Sequence, residues 1–145
     1  MVNIADYIII RDNDGRWAKF DLPDDDHHLA QQVRRFLLPD NVRVDEAAIL
    51  SYMLDGVPFG DELDVEYAIR LNDHHIMSQR IKSTQTRGLS DLVGGDILVP
   101  RPAHLPEGAL GNNRIEFNEV QRRSNGGYLR FYNIVLWFQR TVREP

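Results

Sequence analysis

Residues 63 to 71, "LDVEYAIRL", alternate without a break: Leu63, Val65, Tyr67, Ile69 and Leu71 are apolar, and Asp64, Glu66, Ala68 and Arg70 separate them. A period of two over that length predicts a β-strand with one dry face. The same reading extends along most of the chain. "DYIIIR" and "RWAKFDL" flank "DNDG", which predicts a hairpin over residues 6 to 22 with a type I′ turn at Asp14-Gly15. The apolar run from 42 to 54, bounded by Asp40-Asn41 and Asp55-Gly56, predicts a buried strand. "NDHH" turns the chain into a returning strand at Ile76 to Ile81, and "DILVP" is a further short strand. Residues 83 to 95, rich in Ser, Thr and Gly, are expected to form a long loop.

One stretch changes period. In "DDDHHLAQQVRRFLLP", Leu29, Val33, Phe36 and Leu37 fall at helical spacing. Asp24 to Asp26 suit a positive N-terminus, Arg34 and Arg35 suit the last turn, and Pro39 ends the segment. A single short helix is predicted over residues 25 to 37. Many short strands, frequent turns and one helix predict a mainly β fold: one domain over residues 1–145, an antiparallel β-sandwich of jelly-roll type.

The closing segment is the most informative. Asn125-Gly126 lies between two alternating runs, a strong hairpin signal. A two-residue turn there sets Arg114 opposite Trp137, Glu116 opposite Val135 and Asn118 opposite Asn133. The other face then joins Ile115 to Leu136 and Phe117 to Ile134 as core. If Gly127 joins the turn, the register slips and this assignment dissolves. Between 128 and 138, however, both parities are apolar, which a strand with one wet face does not explain. Arg114, Glu116, Asn118, Asn133 and Trp137 form the predicted ligand-binding face, because flat aromatics beside planar polar groups suit a sugar ring or a protein partner. The plainer reading is an ordinary outer face held by a cation–π pair of about 1 kcal/mol.

Composition narrows the function. Hydrophobic content of 42% and charged content of 27% are those of a globular protein, and the length suits one domain. A net charge of −5 argues against a phosphate-binding surface and hence against nucleic acid as a partner. There is no cysteine, which excludes disulfides, thiolate zinc sites and cysteine nucleophiles. "MVNIADYIII" lacks a basic n-region, and the longest apolar stretch, from Ala47 to Leu54, is far too short for a membrane span. A soluble, cytoplasmic protein is the expectation.

"HLPEGALGNNRIEF" resembles a step in galactose-binding-like jelly rolls, where a proline-glycine turn and an asparagine precede a core strand. Leu105, Pro106, Gly108, Asn113 and Ile115 fill those places, and "IRLND" resembles the strand and turn before them. Ala109, Leu110 and Gly111 depart from the pattern as an insertion. The resemblance covers about a third of the chain and implies a ligand-binding sandwich, often for carbohydrate. It assigns no binding residue by position.

Chemical motifs are absent or incomplete. Reading "DNDG" as an EF-hand puts Trp17 where glycine is required and Pro23 where glutamate is required. His27-His28, His74-His75 and His104 show no HxH or HxxxH spacing, so no metal is expected. No serine sits in a GxSxG turn, and Gly94-Gly95-Asp96 lacks the lysine of a phosphate loop. The expectation is a non-catalytic module without cofactor, binding carbohydrate or protein through an outer sheet face. The alternative is a structural subunit that packs into a homo-oligomer or a larger complex.

Overall fold

The computed structural model describes residues 1–12, 14–23, 30–39, 41–43, 48–58, 62–82, 87–92, 113–124 and 126–143, with 87–92 as backbone only. Among them there are nine strands and no helix: β1 (Val2–Ile9), β2 (Lys19–Leu22), β3 (Gln31–Phe36), β4 (Ile49–Val57), β5 (Val65–Leu71), β6 (His74–Ile81), β7 (Arg87–Leu92), β8 (Asn113–Arg122) and β9 (Tyr128–Val142). They form two antiparallel sheets. Sheet I runs β1-β9-β4-β7, with β2 also paired to β9; sheet II runs β3-β8-β5-β6. The chain is mainly β, as its alternation predicts.

The predicted strand at 63–71 is found, with Leu63, Val65, Tyr67, Ile69 and Leu71 all buried. Asn72 and Asp73 both take positive φ, 51° and 68°, and close a two-residue turn that pairs Leu71 with His74. Inward residues of the two sheets meet in one aromatic cluster. Phe131 of sheet I lies 4.7 Å from Phe117 and 5.1 Å from Tyr67 of sheet II, ring centre to ring centre. Such pairs each contribute about 0.5–1.5 kcal/mol beyond the area they bury. Within that core the Tyr52 and Tyr67 hydroxyls share a 2.8 Å hydrogen bond, and Tyr67 donates onward to Gln79 at 3.0 Å.

Four expectations require correction. Residues 31–36 are strand β3, not helix; residues 24–29 lie outside the described residues. β3 alternates with Gln32, Arg34 and Phe36 on the side shared with Phe117, Ile115 and Asn113 of β8. Pairing with β8 therefore overrides a weak helical spacing. Residues 87–92, placed in a loop by composition, form β7 beside β4.

Asp14-Gly15 does not make a type I′ turn, since Gly15 has φ +78° but Asp14 is not in the left-handed region. The Gly15 N–H instead donates to the Asp12 carbonyl, the Asp12 N–H donates to the Arg16 carbonyl, and Gly15 takes the left-handed position before Arg16. Beyond the Arg11–Trp17 bridge, the two arms of this hairpin follow one edge of β9. β1 covers Val135 to Val142 and β2 covers Leu129 to Tyr132, like one interrupted strand.

The fourth correction concerns the closing hairpin. β8 pairs with β3 and β5, whereas β9 pairs with β1, β2 and β4, so the chain crosses between sheets at 123–127. Arg123 and Ser124 N–H donate to the Asp64 carbonyl, and Gly126 and Gly127 take φ +72° and +79° to make the corner. The strand expected from "DILVP", the histidines 27, 28 and 104, and Leu105, Pro106 and Gly108 fall outside the described residues.

Candidate functional site

The corner divides the five predicted site residues between two faces. Arg114, Glu116 and Asn118 of β8 lie on the outer face of sheet II, since Ile115 and Phe117 point inward. Trp137 of β9 lies on the outer face of sheet I. Arg114 and Trp137 are therefore not neighbours.

On sheet II, Arg114 and Glu116 of the three polar candidates are occupied with structure. Arg114 bridges Asp73, at 2.5 Å, and the buried carboxylate of Glu116. Asn72 receives the Arg114 N–H at 2.9 Å and donates to Asn113 at 2.8 Å, which ties the β5–β6 turn to the start of β8. Asn118 sits opposite Ala68 and Gln31, with its Oδ1 buried and without a hydrogen-bond partner. The surrounding side chains, Arg70, Glu66 and Arg80, are charged and half-buried or exposed. Asp64, held by Arg80 at 2.7 Å, has its carboxyl pulled below the usual range by that hydrogen bond. Charges on this face are paired with one another.

Sheet I is different. Asn133 takes φ +51° at a bulge where β9 gains one residue on β4: Met53 pairs with Tyr132 but Ser51 pairs with Val135. Before the bulge Leu129 and Phe131 point inward; after it Ile134, Leu136 and Phe138 do. The two apolar parities of β9 are thus one inward face, reset by a single residue. Tyr132, Val135 and Trp137 are left on the outside.

Around Trp137 the outer face is aromatic and apolar. Tyr7 of β1 pairs with Trp137, their rings 5.2 Å apart at 43°, and Ile49 of β4 flanks the indole from the other side. All three are largely open, at 52%, 46% and 42% exposure, far above the core value of a few per cent. The indole N–H donates to Ser51 Oγ at 2.9 Å, fixing the ring's orientation. A cleft of about 210 Å³ opens beside it, between Ala5, Ile49, Trp137 and Gln139. That is below the about 300 Å³ at which whole small-molecule sites begin, and suits one ring or one side chain.

Along the same face lies a polar string. Tyr132 donates to Asp55 at 3.1 Å, Arg130 pairs with Asp21 at 2.8 Å, and the Arg130 guanidinium stands 5.5 Å from the Tyr128 ring centre. Desolvation, and then the Asp55 carboxylate, raise the Tyr132 hydroxyl above its usual pKa.

Of the five predicted residues the outer face of sheet I carries Trp137 and Asn133; Tyr7, Ile49, Ser51, Tyr132 and Asp55, which lie with them, were not anticipated. Tyr7 lies in the apolar run "DYIII", whose pairing with the opposite end of the chain leaves no local signal. Among the described residues no group of three His, Asp or Glu is placed to hold a metal, and no helix is long and apolar enough to cross a membrane.

No protein-family model matches the chain, and no curated protein matches it. Among solved structures, the chain is similar to the crystal structure of dimeric latent PorU from Porphyromonas gingivalis. The two are 17% identical with a TM-score of 0.47, over 79% of this chain and 10% of that one.

Proposed function

We propose that the chain is a non-catalytic binding module that recognises carbohydrate through the outer face of sheet I, centred on Trp137. One observation carries this reading: Tyr7 and Trp137 form an exposed, hydrogen-bond-anchored aromatic platform beside a ring-sized cleft. An indole whose N–H is already satisfied offers its flat face rather than a polar edge. Ser51, Gln139 and the Tyr132–Asp55 pair supply polar groups along the same face. The strand orders β1-β9-β4-β7 and β3-β8-β5-β6, with most connections crossing between sheets, support a jelly-roll sandwich. Asn113 and Ile115 opening β8 after the turn of β5 and β6 are in keeping with the galactose-binding-like resemblance.

A second reading follows from the apolar character of the same patch. Tyr7, Ile49 and Trp137 together would also suit a protein surface, including another copy in an assembly. A glycan array combined with sedimentation velocity separates the two. A monomer that binds one class of glycan supports the first reading; a stable oligomer without glycan binding supports the second.

A further inference from the structure

β1 ends the strand order of sheet I, so among the described residues nothing pairs with its other edge. The direction of its peptide groups follows from the ladder. The Ile10 N–H bonds to the Ile134 carbonyl, in step with the β1–β9 register, so even-numbered residues address β9. The N–H and C=O groups of Asn3, Ala5, Tyr7 and Ile9 then point away from it. Unpaired strand edges invite a further strand unless they are guarded. Here one guard is visible: Asp6 accepts the Tyr7 N–H at 2.8 Å while Arg140 holds its other oxygen at 2.7 Å. Among the described residues nothing bonds the Tyr7 carbonyl or either peptide group of Ile9 beyond it.

Alongside that stretch runs a groove of about 590 Å³, bounded by Ile8 and Ile9 of β1 and by Phe36 and Leu37 at the end of β3. Its charged lining is Asp6, Arg11 and Arg35. Asp6 is already neutralised by Arg140. Arg11 donates to the Gly15 carbonyl and meets no carboxylate among the described residues. Arg35 is exposed and stands opposite Arg114 in the ladder, a like-charge pairing whose acids, Asp73 and Glu116, are taken by Arg114. On a chain of net charge −5, the groove presents two cations without an acid partner among the described residues, above an apolar floor.

We infer that the open edge of β1 binds an extended peptide of another protein as an added strand, with an acidic side chain of that peptide held by Arg11 and Arg35. Main-chain bonds to Tyr7 and Ile9 give affinity, and the groove selects the side chains. A second copy of this chain fits worse, because it brings the same two arginines and an Asp6 that is already paired. The site is separate from the glycan platform: Tyr7 turns its ring to the outer face and its carbonyl to the edge.

The test is selection of short random peptides displayed on beads against the intact protein. Enriched peptides should carry an aspartate or glutamate among apolar residues. Exchanging that acid for its amide should weaken binding about fivefold, the scale of a partly exposed ion pair. Methylating the backbone nitrogens of a selected peptide should abolish binding. Arg35→Ala with Arg11→Ala should remove the preference for the acid at an unchanged Tm, and Arg35→Glu should turn it toward lysine or arginine. The inference is overturned if no peptide is enriched, if enriched peptides lack an acid, if backbone methylation leaves binding intact, or if the edge is taken by self-association.

Discussion

Asn133 faces Tyr52 across the β9–β4 ladder at the point where two residues of β9, Asn133 and Ile134, stand against one residue of β4. The bulge turns Ile134, Leu136 and Phe138 inward and, by the same step, leaves Trp137 outside. Its left-handed φ of +51° is tolerated by asparagine or glycine and resisted by β-branched side chains. Asn133→Gly is expected to stay within about 0.5 kcal/mol of the native stability, and Asn133→Val to lose about 1–2 kcal/mol. Denaturant midpoints of the two variants check this, and equal stability would remove the bulge from its organising role.

Trp137 and Phe131 lie on one strand but on opposite faces, and the cost of truncating each should differ accordingly. Phe131 is fully buried against Phe20, Tyr52, Tyr67 and Phe117, so Phe131→Ala should cost about 3–5 kcal/mol. Trp137→Ala removes a half-exposed ring, one stacking contact and one hydrogen bond, a loss of about 1–2 kcal/mol. Urea unfolding of both variants measures the difference. A Trp137→Ala loss as large as that of Phe131→Ala would place the indole in the core.

Tyr52 and Tyr67 should show coupled energetics. Tyr67→Phe removes the donor to Gln79 Oε1 and the hydrogen bond shared with Tyr52, at about 1–3 kcal/mol. Adding Tyr52→Phe should cost less than it does alone, because the hydrogen bond the two share is already gone. Strict additivity in the double-mutant cycle would contradict the shared hydrogen bond.

Acid should weaken the fold through Asp6 and Asp64. The Asp6 carboxyl is pulled down by the Tyr7 N–H and then by Arg140, and that of Asp64 by Arg80. A depressed folded-state pKa gives stability that is present above the unfolded value of about 3.9 and lost as pH falls through the folded value. Stability should therefore decline below about pH 4, and the decline should be shallower in Asp6→Asn and Asp64→Asn. Thermal melts between neutral and acidic pH test this; a slope unchanged in both variants would contradict it.

Much of the fold was legible in the sequence where the information is local. The clean alternation from Leu63 to Leu71 became a strand with one dry face, and the turn expected over "NDHH" is made by Asn72-Asp73 alone, with His74 and His75 already in β6. What failed were inferences from local signals that long-range pairing overrides. Val33 and Phe36 share a helical spacing by coincidence, yet Gln31 to Phe36 pair with β8. Asn125-Gly126 has the chemistry of a hairpin turn, yet the second left-handed glycine, Gly127, and the anchor at Asp64 send the chain into the other sheet. Trp137 was rightly placed outside for a wrong reason: the bulge at Asn133, not a hairpin with β8, puts it there. Arg114, Glu116 and Asn118 went to the opposite face by the same error. Tyr7 could not be paired with Trp137 from a sequence in which 129 residues separate them.

The proposal that the sheet I face binds glycan is tested most directly by three proteins on one glycan array: the native chain, Trp137→Ala and Arg114→Ala. The native chain and Arg114→Ala should bind the same class of glycan with similar strength. Trp137→Ala should lose that binding at least thirtyfold, the size of a hot spot worth about 2 kcal/mol, while remaining folded by circular dichroism. Loss in Arg114→Ala with retention in Trp137→Ala, or binding by none of the three, would contradict the proposal.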